Sequence, residues 1–223
     1  MSTIRDDFDR IALTEASIDG ATHNDHYHNF LLRQLSPHCH SALEIGCGKG
    51  EFSRRIAERA ERVLALDLSP EMIRIARKSS AHLPNIEFQL ADVMQLDLPA
   101  AGLNCIASIA TLHHLPLREV LLKMKAALKP GGVLIILDLF EPGGVIDTVL
   151  NPPAIAVSVA LRLMHYGRLL PSREARDAWA IHEGHDIYPT MNEVRQLCAD
   201  ILPGASVRKH LLWRYSVVWR ALP

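Results

Sequence analysis

From residue 41 onward, short apolar runs alternate with stretches whose apolar residues recur every three or four positions. That alternation marks a parallel α/β sheet. The first run, Ala42-Leu43-Glu44-Ile45, ends in Gly46-Cys47-Gly48-Lys49-Gly50. Phe52, Ile56 and Ala60 follow at helical spacing and predict a helix through about Val63. A second run, Val63 to Leu66, ends at Asp67. Ser69-Pro70-Glu71 opens the next helix, with Ser69 as its cap and Pro70 suited to its first position. A third strand, Ile86 to Leu90, precedes Ala91-Asp92, and a fourth, Cys105 to Ala110, precedes Thr111-Leu112-His113-His114. A helix begun by Pro116 stops at Lys129-Pro130-Gly131-Gly132. The fifth run, Val133 to Leu137, is apolar throughout, as a strand covered on both faces should be.

Residues 139–189 break this rhythm with Gly143-Gly144, Pro152-Pro153 and an apolar helical stretch, Ala154 to Met164. They read as a helical insertion after strand five. Thr190 and Glu193 form a capping box that starts a helix ending near Leu202. Two last strands, about Ser206–Leu211 and Tyr215–Ala221, are expected to pair antiparallel. Trp213, Tyr215 and Trp219 alternate in that stretch, which suits core packing. The expected fold is a doubly wound α/β domain. Its mostly parallel, Rossmann-like sheet has seven strands, the last antiparallel. Residues 1–40 are expected to form an N-terminal helical cap, and residues 41–223 the main domain with its insertion.

Composition narrows the function classes. Lys plus Arg is 24 and Asp plus Glu is 25, a net charge of −1, which disfavours a nucleic-acid partner. With 48% hydrophobic and 22% charged residues, general disorder is excluded. The four cysteines form no CxxC pair, so neither a zinc site nor a disulfide framework is indicated. The first ten residues, MSTIRDDFDR, lack the apolar core of a secretory signal, and no apolar run reaches the ~18 residues of a membrane span. The expected location is cytoplasmic, with reduced thiols.

The chemistry gathers at the ends of the first strands. A glycine loop after strand one lets a ligand approach the main chain closely. Glu51 stands where a dinucleotide fingerprint wants its third glycine, and Lys49-Gly50 is not a P-loop ending. A nucleoside suits this loop better than a pyrophosphate. Glu44, Asp67 and Asp92 lie at three neighbouring strand ends. Asp67 is placed to accept from ribose hydroxyls and Asp92 from an adenine amino group. Acids with no basic cluster among them suit a cationic ligand without phosphates, and S-adenosylmethionine fits. His23, His26, His28, His38 and His40 match no tight metal-ligand spacing, so no metal is expected. Arg54, Arg55, Arg59 and Arg62, interleaved with Glu51, Glu58 and Glu61, read as a solvated face.

Five segments, in order, carry a resemblance. They are Leu43 to Gly50, Leu66 to Met72, Ala91-Asp92-Val93, Leu112 to Leu115, and Leu128 to Gly132. Over roughly residues 41–138 the chain resembles the class I S-adenosylmethionine-dependent methyltransferases, most of all the ubiquinone/menaquinone-biosynthesis type that acts on small molecules. Asn104 departs from the family's usual Asp at the start of strand four. The resemblance implies that Gly46, Cys47 and Gly48 pass along the methionine and ribose with backbone contacts. It implies that Asp67 holds the ribose, Leu68 and Met72 pack on adenine, and Asp92 and Val93 bracket its edge. Ala110 and Thr111 would face the methionine moiety, and Glu44 would hold a water or the amino group. The implied reaction moves the sulfonium methyl to a small or medium-sized organic acceptor by in-line displacement. His114 and His28 are the favoured general bases, and Tyr27, His113 and His165 the candidates for acceptor or lid contacts. The insertion is placed to serve as a lid or as a homodimer contact. A nicotinamide-dependent oxidoreductase and a non-catalytic cofactor-binding scaffold are the alternatives.

Overall fold

The computed structural model describes residues 2–15, 24–143 and 187–222, with isolated positions between 156 and 177. Most of the apolar stretch 154–164, together with His23 and His165, lies outside the described residues. The chain opens with helices α1 (Ser2–Glu15) and α2 (Asp25–Leu32). Strands and helices then alternate: β1 (Cys39–Ile45), α3 (Glu51–Ala57), β2 (Ala60–Asp67), α4 (Pro70–Ser79) and β3 (Ile86–Leu90). They continue as β4 (Leu103–Ile109), α5 (Leu117–Ala127) and β5 (Leu128–Leu139). From residue 187 onward come α6 (Met191–Ile201), β6 (Ser206–Lys209) and β7 (Arg214–Arg220).

The seven strands form one sheet in the order β3-β2-β1-β4-β5-β7-β6. The first five are parallel, and β7 runs antiparallel between β5 and β6. This is the expected fold class. The strand order reverses between β1 and β4, which opens a crevice beyond their carboxyl ends.

The sheet is buried on both faces by simple parity. In β5, Leu134 and Ile136 pack on the α5–α6 side, whereas Val133, Ile135 and Leu137 pack on the α2–α3 side. Tyr215 and Trp219 of β7 are buried in the first of these clusters, as their alternation predicts. Ser69 accepts from Met72 N at 3.0 Å and caps α4 over Pro70, and Thr190 and Glu193 complete the capping box of α6. Among the described residues no helix is long and apolar enough to cross a membrane.

Several boundaries differ from the sequence reading: β1, β4 and β5 begin earlier, at Cys39, Leu103 and Leu128. Helix α3 ends at Ala57 rather than near Val63, and β2 starts at Ala60. The Asn85 side chain donates to Ala57 O at 2.9 Å and to Ala60 O at 3.0 Å, so a residue 25 positions away folds the chain back there. Strand β5 also runs on past Leu137 to include Asp138. Three of the four arginines near α3 are more engaged than a solvated face requires, and Arg62 is exposed. Arg54 donates to Lys49 O, Arg55 to Asn29 Oδ1 and Arg59 to Leu32 O.

Candidate active site

The loop between β1 and α3 is tied to β2 by main-chain bonds. Gly46 N and Cys47 N both donate to Leu66 O, at 2.8 and 2.9 Å. Gly46 has φ +73, and a Cβ placed there would sit 2.0 Å from Thr111 Oγ1. Only glycine lets the loop pass this close to the chain leaving β4. Gly48 has φ +51 and nothing within 4 Å of where a Cβ would be, so the space above it is open. Cys47 turns its side chain away, into a cluster with Ala65, Ile73, Ala76 and Phe88, so only its backbone is offered to the crevice.

Asp67 closes this loop from the end of β2. Its Oδ2 accepts from Gly48 N at 2.8 Å and its Oδ1 from Ser69 N at 2.9 Å. Burial pushes its carboxyl above the usual range, partly offset by those N–H donors. Asp92, past β3, accepts from Met94 N at 2.8 Å and Gln95 Nε2 at 3.0 Å, and Val93 beside it is buried in the core. Leu68 is half-buried, and Met72 is buried against Ile11 and Ala12 of α1.

Glu44 lies elsewhere than its strand-end position suggests. It shares parity with Ala42, which faces α2 and α3, so its carboxylate sits under α3 and accepts from Ser53 Oγ. Burial is the chief cause of a pKa pushed up to about 8; Ser53 opposes it, and the charges of Asp67 and Glu51 add to it. At neutral pH this group is mostly protonated.

Ala110 leaves β4 with φ +50 and throws the 3-10 turn Leu112–His114 across the strand ends. There Asp138, the last polar residue of β5, grips His113 twice. Its Oδ1 lies 2.6 Å from His113 Nδ1, and its Oδ2 accepts from His113 N at 3.0 Å. The side chains are 4% and 0% exposed. The His113 ring lies 3.9 Å from that of His114 and 5.0 Å from that of Tyr188. Arg214 at the start of β7 donates to Asn24 Oδ1 at 2.6 Å and to Leu212 O at 2.7 Å. Its guanidinium lies within electrostatic reach of Asp138.

Helix α1 lies beside the same strand ends. Asp9 accepts from Ser69 Oγ and from Glu71 N, and Phe8 meets the His114 ring edge-on at 5.5 Å. Tyr27 and Phe30 sit on the β6–β7 side instead. Tyr27 Oη donates to Leu211 O at 3.1 Å, and both rings contact His210. His28 is buried with its ring 4.9 Å from that of Phe52. Among the other histidines, His26, His38 and His40 are exposed, and His40 pairs with Glu61 at 2.8 Å.

The structure thus brings together Gly46, Gly48, Asp67, Leu68, Met72, Asp92, Ala110, Thr111, His113 and His114 at neighbouring strand ends. It sets Glu44, His28 and Tyr27 apart, under α3, on Phe52 and on the β6–β7 turn. Asp138 and Arg214 were missed from sequence. Asp138 had a signal: like Asp67, it is the acid directly after an apolar run. Arg214 had none, because its placement depends on the antiparallel return of β7. Asn104 accepts from Ser41 N at 3.2 Å and so ties β1 to β4, which makes it a structural residue.

Residues 42–132 match a family described as a methyltransferase domain. An uncharacterised methyltransferase of Mycobacterium tuberculosis (strain ATCC 25618 / H37Rv) is 29% identical over 205 residues, 89% of this chain and 95% of that protein. A ubiquinone biosynthesis O-methyltransferase of Xanthomonas axonopodis pv. citri is 27% identical over 145 residues, 64% of this chain and 56% of that protein. Among solved structures, the N-methyltransferase NodS of Bradyrhizobium japonicum, crystallised with S-adenosyl-L-homocysteine, superposes with a TM-score of 0.64 at 16% identity. That match covers 96% of this chain and 98% of that one.

Proposed function

The chain belongs to the class I S-adenosylmethionine-dependent methyltransferases, and from that premise we propose that it methylates a small or medium-sized organic acceptor held at the ends of β1, β4 and β5. The observation that carries this reading is the joint made by Asp67 and the glycine loop, with open space above Gly48. The residues present fit a cationic nucleoside. A cradle that a Cβ would fill lies beside a half-buried carboxylate, and a second carboxylate lies just past the next strand over. In this reading Gly46, Cys47 and Gly48 offer their backbone to the methionine and ribose, and Asp67 takes the ribose hydroxyls with its remaining lone pairs. Leu68 and Met72 pack on the adenine, Asp92 and Val93 bracket its edge, and Ala110 and Thr111 border the methionine end. Glu44 acts through Ser53, keeping α3 seated behind the loop.

When bound, the sulfonium supplies an activated methyl whose leaving group is a neutral thioether. The work left to the chain is to orient the acceptor and exclude water, and orientation alone is worth ~7–11 kcal/mol of barrier. Helix α1 serves as the cap: Asp9 pins it to the start of α4, and Phe8 covers His114. His28 contributes packing against Phe52 rather than chemistry. The ubiquinone O-methyltransferase among the relatives supports a small organic acceptor.

Calorimetry with S-adenosylmethionine, its demethylated product and NAD tests the cofactor site, and transfer of a labelled methyl to a panel of phenols, alcohols, amines and acids tests the acceptor class. Binding of both sulfur nucleosides and labelling of a small molecule are expected. Tight NAD binding with no heat from S-adenosylmethionine would overturn the reading.

A further inference from the structure

We propose that Trp213 selects the methyl acceptor: its indole N–H donates to an oxygen carried by a planar acceptor seated beyond the end of β5. This rests on the methyltransferase reading above and names the substrate chemistry of that same site. Trp213 Nε1 is a buried donor with no hydrogen-bond partner among the described residues. Such a donor costs the fold its full desolvation, so native chains keep few of them. An acceptor that supplies an oxygen recovers that cost, and one that lacks it is rejected. The flat face of the indole adds a stacking surface for a ring.

The backbone holds the indole there against local preference. Leu212 and Trp213, at the tip of the β6–β7 hairpin, take φ values of 60° and 55°. Hairpin positions of this kind ordinarily go to Asn and Gly, and a bulky side chain is strained in them. Three bonds from three directions fix the tip. Tyr27 Oη donates to Leu211 O at 3.1 Å, Arg214 Nη1 to Leu212 O at 2.7 Å, and Phe140 N to Trp213 O at 3.1 Å. Strain persists where the surroundings over-determine it, and ligand clamps are where such residues gather.

Register puts the indole on the acceptor side of the crevice. Asp138 pairs with Tyr215 and Leu139 with Arg214, so Trp213 stands one step beyond the last pair, level with Phe140. It packs against the cluster that holds Leu112, Phe140, Met191 and Tyr215. In the sheet order β7 lies two strands from β4, a gap of about 10 Å, which suits one substituted ring beside the methionine end at Thr111. Polarity narrows the class further. The cofactor end carries the carboxylates of Asp67 and Asp92. The β5–β7–β6 end carries donors: the Trp213 N–H, the Arg214 guanidinium and the Lys209 ammonium, 4.9 Å from the centroid of the Phe140 ring. The buried acid at this end, Asp138, is committed to the His113 ring and to the main chain of His113 and Leu139. Donors and positive charge favour a carboxylate, phenol or carbonyl oxygen and disfavour an ammonium.

The test is a proton–nitrogen-15 NMR titration of the indole N–H groups in the full chain saturated with S-adenosyl-L-homocysteine. Benzoate and phenol are the oxygen probes, and toluene and benzylamine the controls. In the wild type, the oxygen probes should bind ~10-fold or more tighter than either control and move the Trp213 N–H resonance downfield. Trp213→Phe assigns that resonance and keeps an aromatic face without the donor. It should retain S-adenosyl-L-homocysteine affinity by calorimetry and lose the preference for oxygen. Trp213→3-benzothienylalanine keeps the ring size as well, and the wild-type titration decides even where a variant fails to fold. Equal binding of benzoate and toluene, no binding of any probe, a Trp213 resonance unmoved by the oxygen probes, or an unchanged preference in the folded variants would each overturn the proposal and leave the methyltransferase reading standing. Failure of the wild type to bind either sulfur nucleoside would instead remove the underlying reading and the proposal with it.

Discussion

Gly46→Ala isolates the closest approach in the candidate site. The new methyl group would lie 2.0 Å from Thr111 Oγ1, 2.4 Å from its Cγ2 and 2.7 Å from its Cβ. Rotating the Thr111 side chain moves the first two atoms but not Cβ, so the clash must be relieved by separating β1 from β4 or by bending the loop. Overpacking of this kind costs ~1–3 kcal/mol, and the φ of +73 adds ~1–2 kcal/mol for a residue with a Cβ. Together they predict a loss of about 3 kcal/mol. For a chain of this size that is a fall in Tm of ~6–12 °C, read by calorimetry and urea denaturation. Thr111→Gly removes the clashing atoms, so the double variant should recover ~1–3 kcal/mol as a coupling energy, leaving only the backbone cost. Gly48→Ala is the contrast. Its methyl group meets nothing within 4 Å, so stability should fall by only ~1 kcal/mol. The same methyl group would enter the proposed cofactor space and weaken S-adenosylmethionine binding ~10-fold or more, equivalent to ~1.4 kcal/mol. Equal stability of the two alanine variants, or no recovery with Thr111→Gly, would refute the claim that contact with Thr111 dictates glycine at position 46.

Glu44→Gln should change how stability varies with pH. The folded chain keeps a proton up to about pH 8 that the unfolded chain releases near its ordinary value of 4.5. Stability from this group is therefore full below pH 4.5 and drains away as pH rises to 8, a decline of roughly 3–5 kcal/mol that Gln should flatten. Urea denaturation at pH 5 and pH 8 measures it, and an unchanged decline in the variant contradicts the buried neutral acid. Asp67→Asn sets an amide N–H against either Gly48 N or Ser69 N, so S-adenosylmethionine affinity by calorimetry should drop ~10–100-fold, about 1.4–2.8 kcal/mol. Asp9→Ala removes the cap shared by Ser69 and Glu71 and should cost ~1 kcal/mol while exposing α1 to limited proteolysis. An α1 as resistant as in the wild type would show that Asp9 does not hold it.

Much of this was legible because local rules carry it. Alternating runs and helical spacing announced the parallel strands, glycines with acids at strand ends announced a nucleoside crevice, and the caps of α4 and α6 were plain in Ser69-Pro70 and Thr190–Glu193. The same strand-end rule that singled out Asp67 applies to Asp138, the acid directly after the run Val133 to Leu137. Glu44 shows what the strand-end rule does not carry. Its place in the chain is right, but parity aims it at Ser53 under α3.

By itself, then, the amino-acid order determined the architecture and the region of the chemistry, since hydrophobic period, capping and glycine placement act over a few residues. Only the tertiary structure decided that Asp138 meets His113, where the turn after α3 falls and what α1 covers. Those outcomes rest on contacts across 25 to 60 or more residues, between His113 and Asp138, Asn85 and Ala60, and Asp9 and Ser69. Such contacts form where folded strands and helices happen to end together, and a one-residue change of parity redirects them.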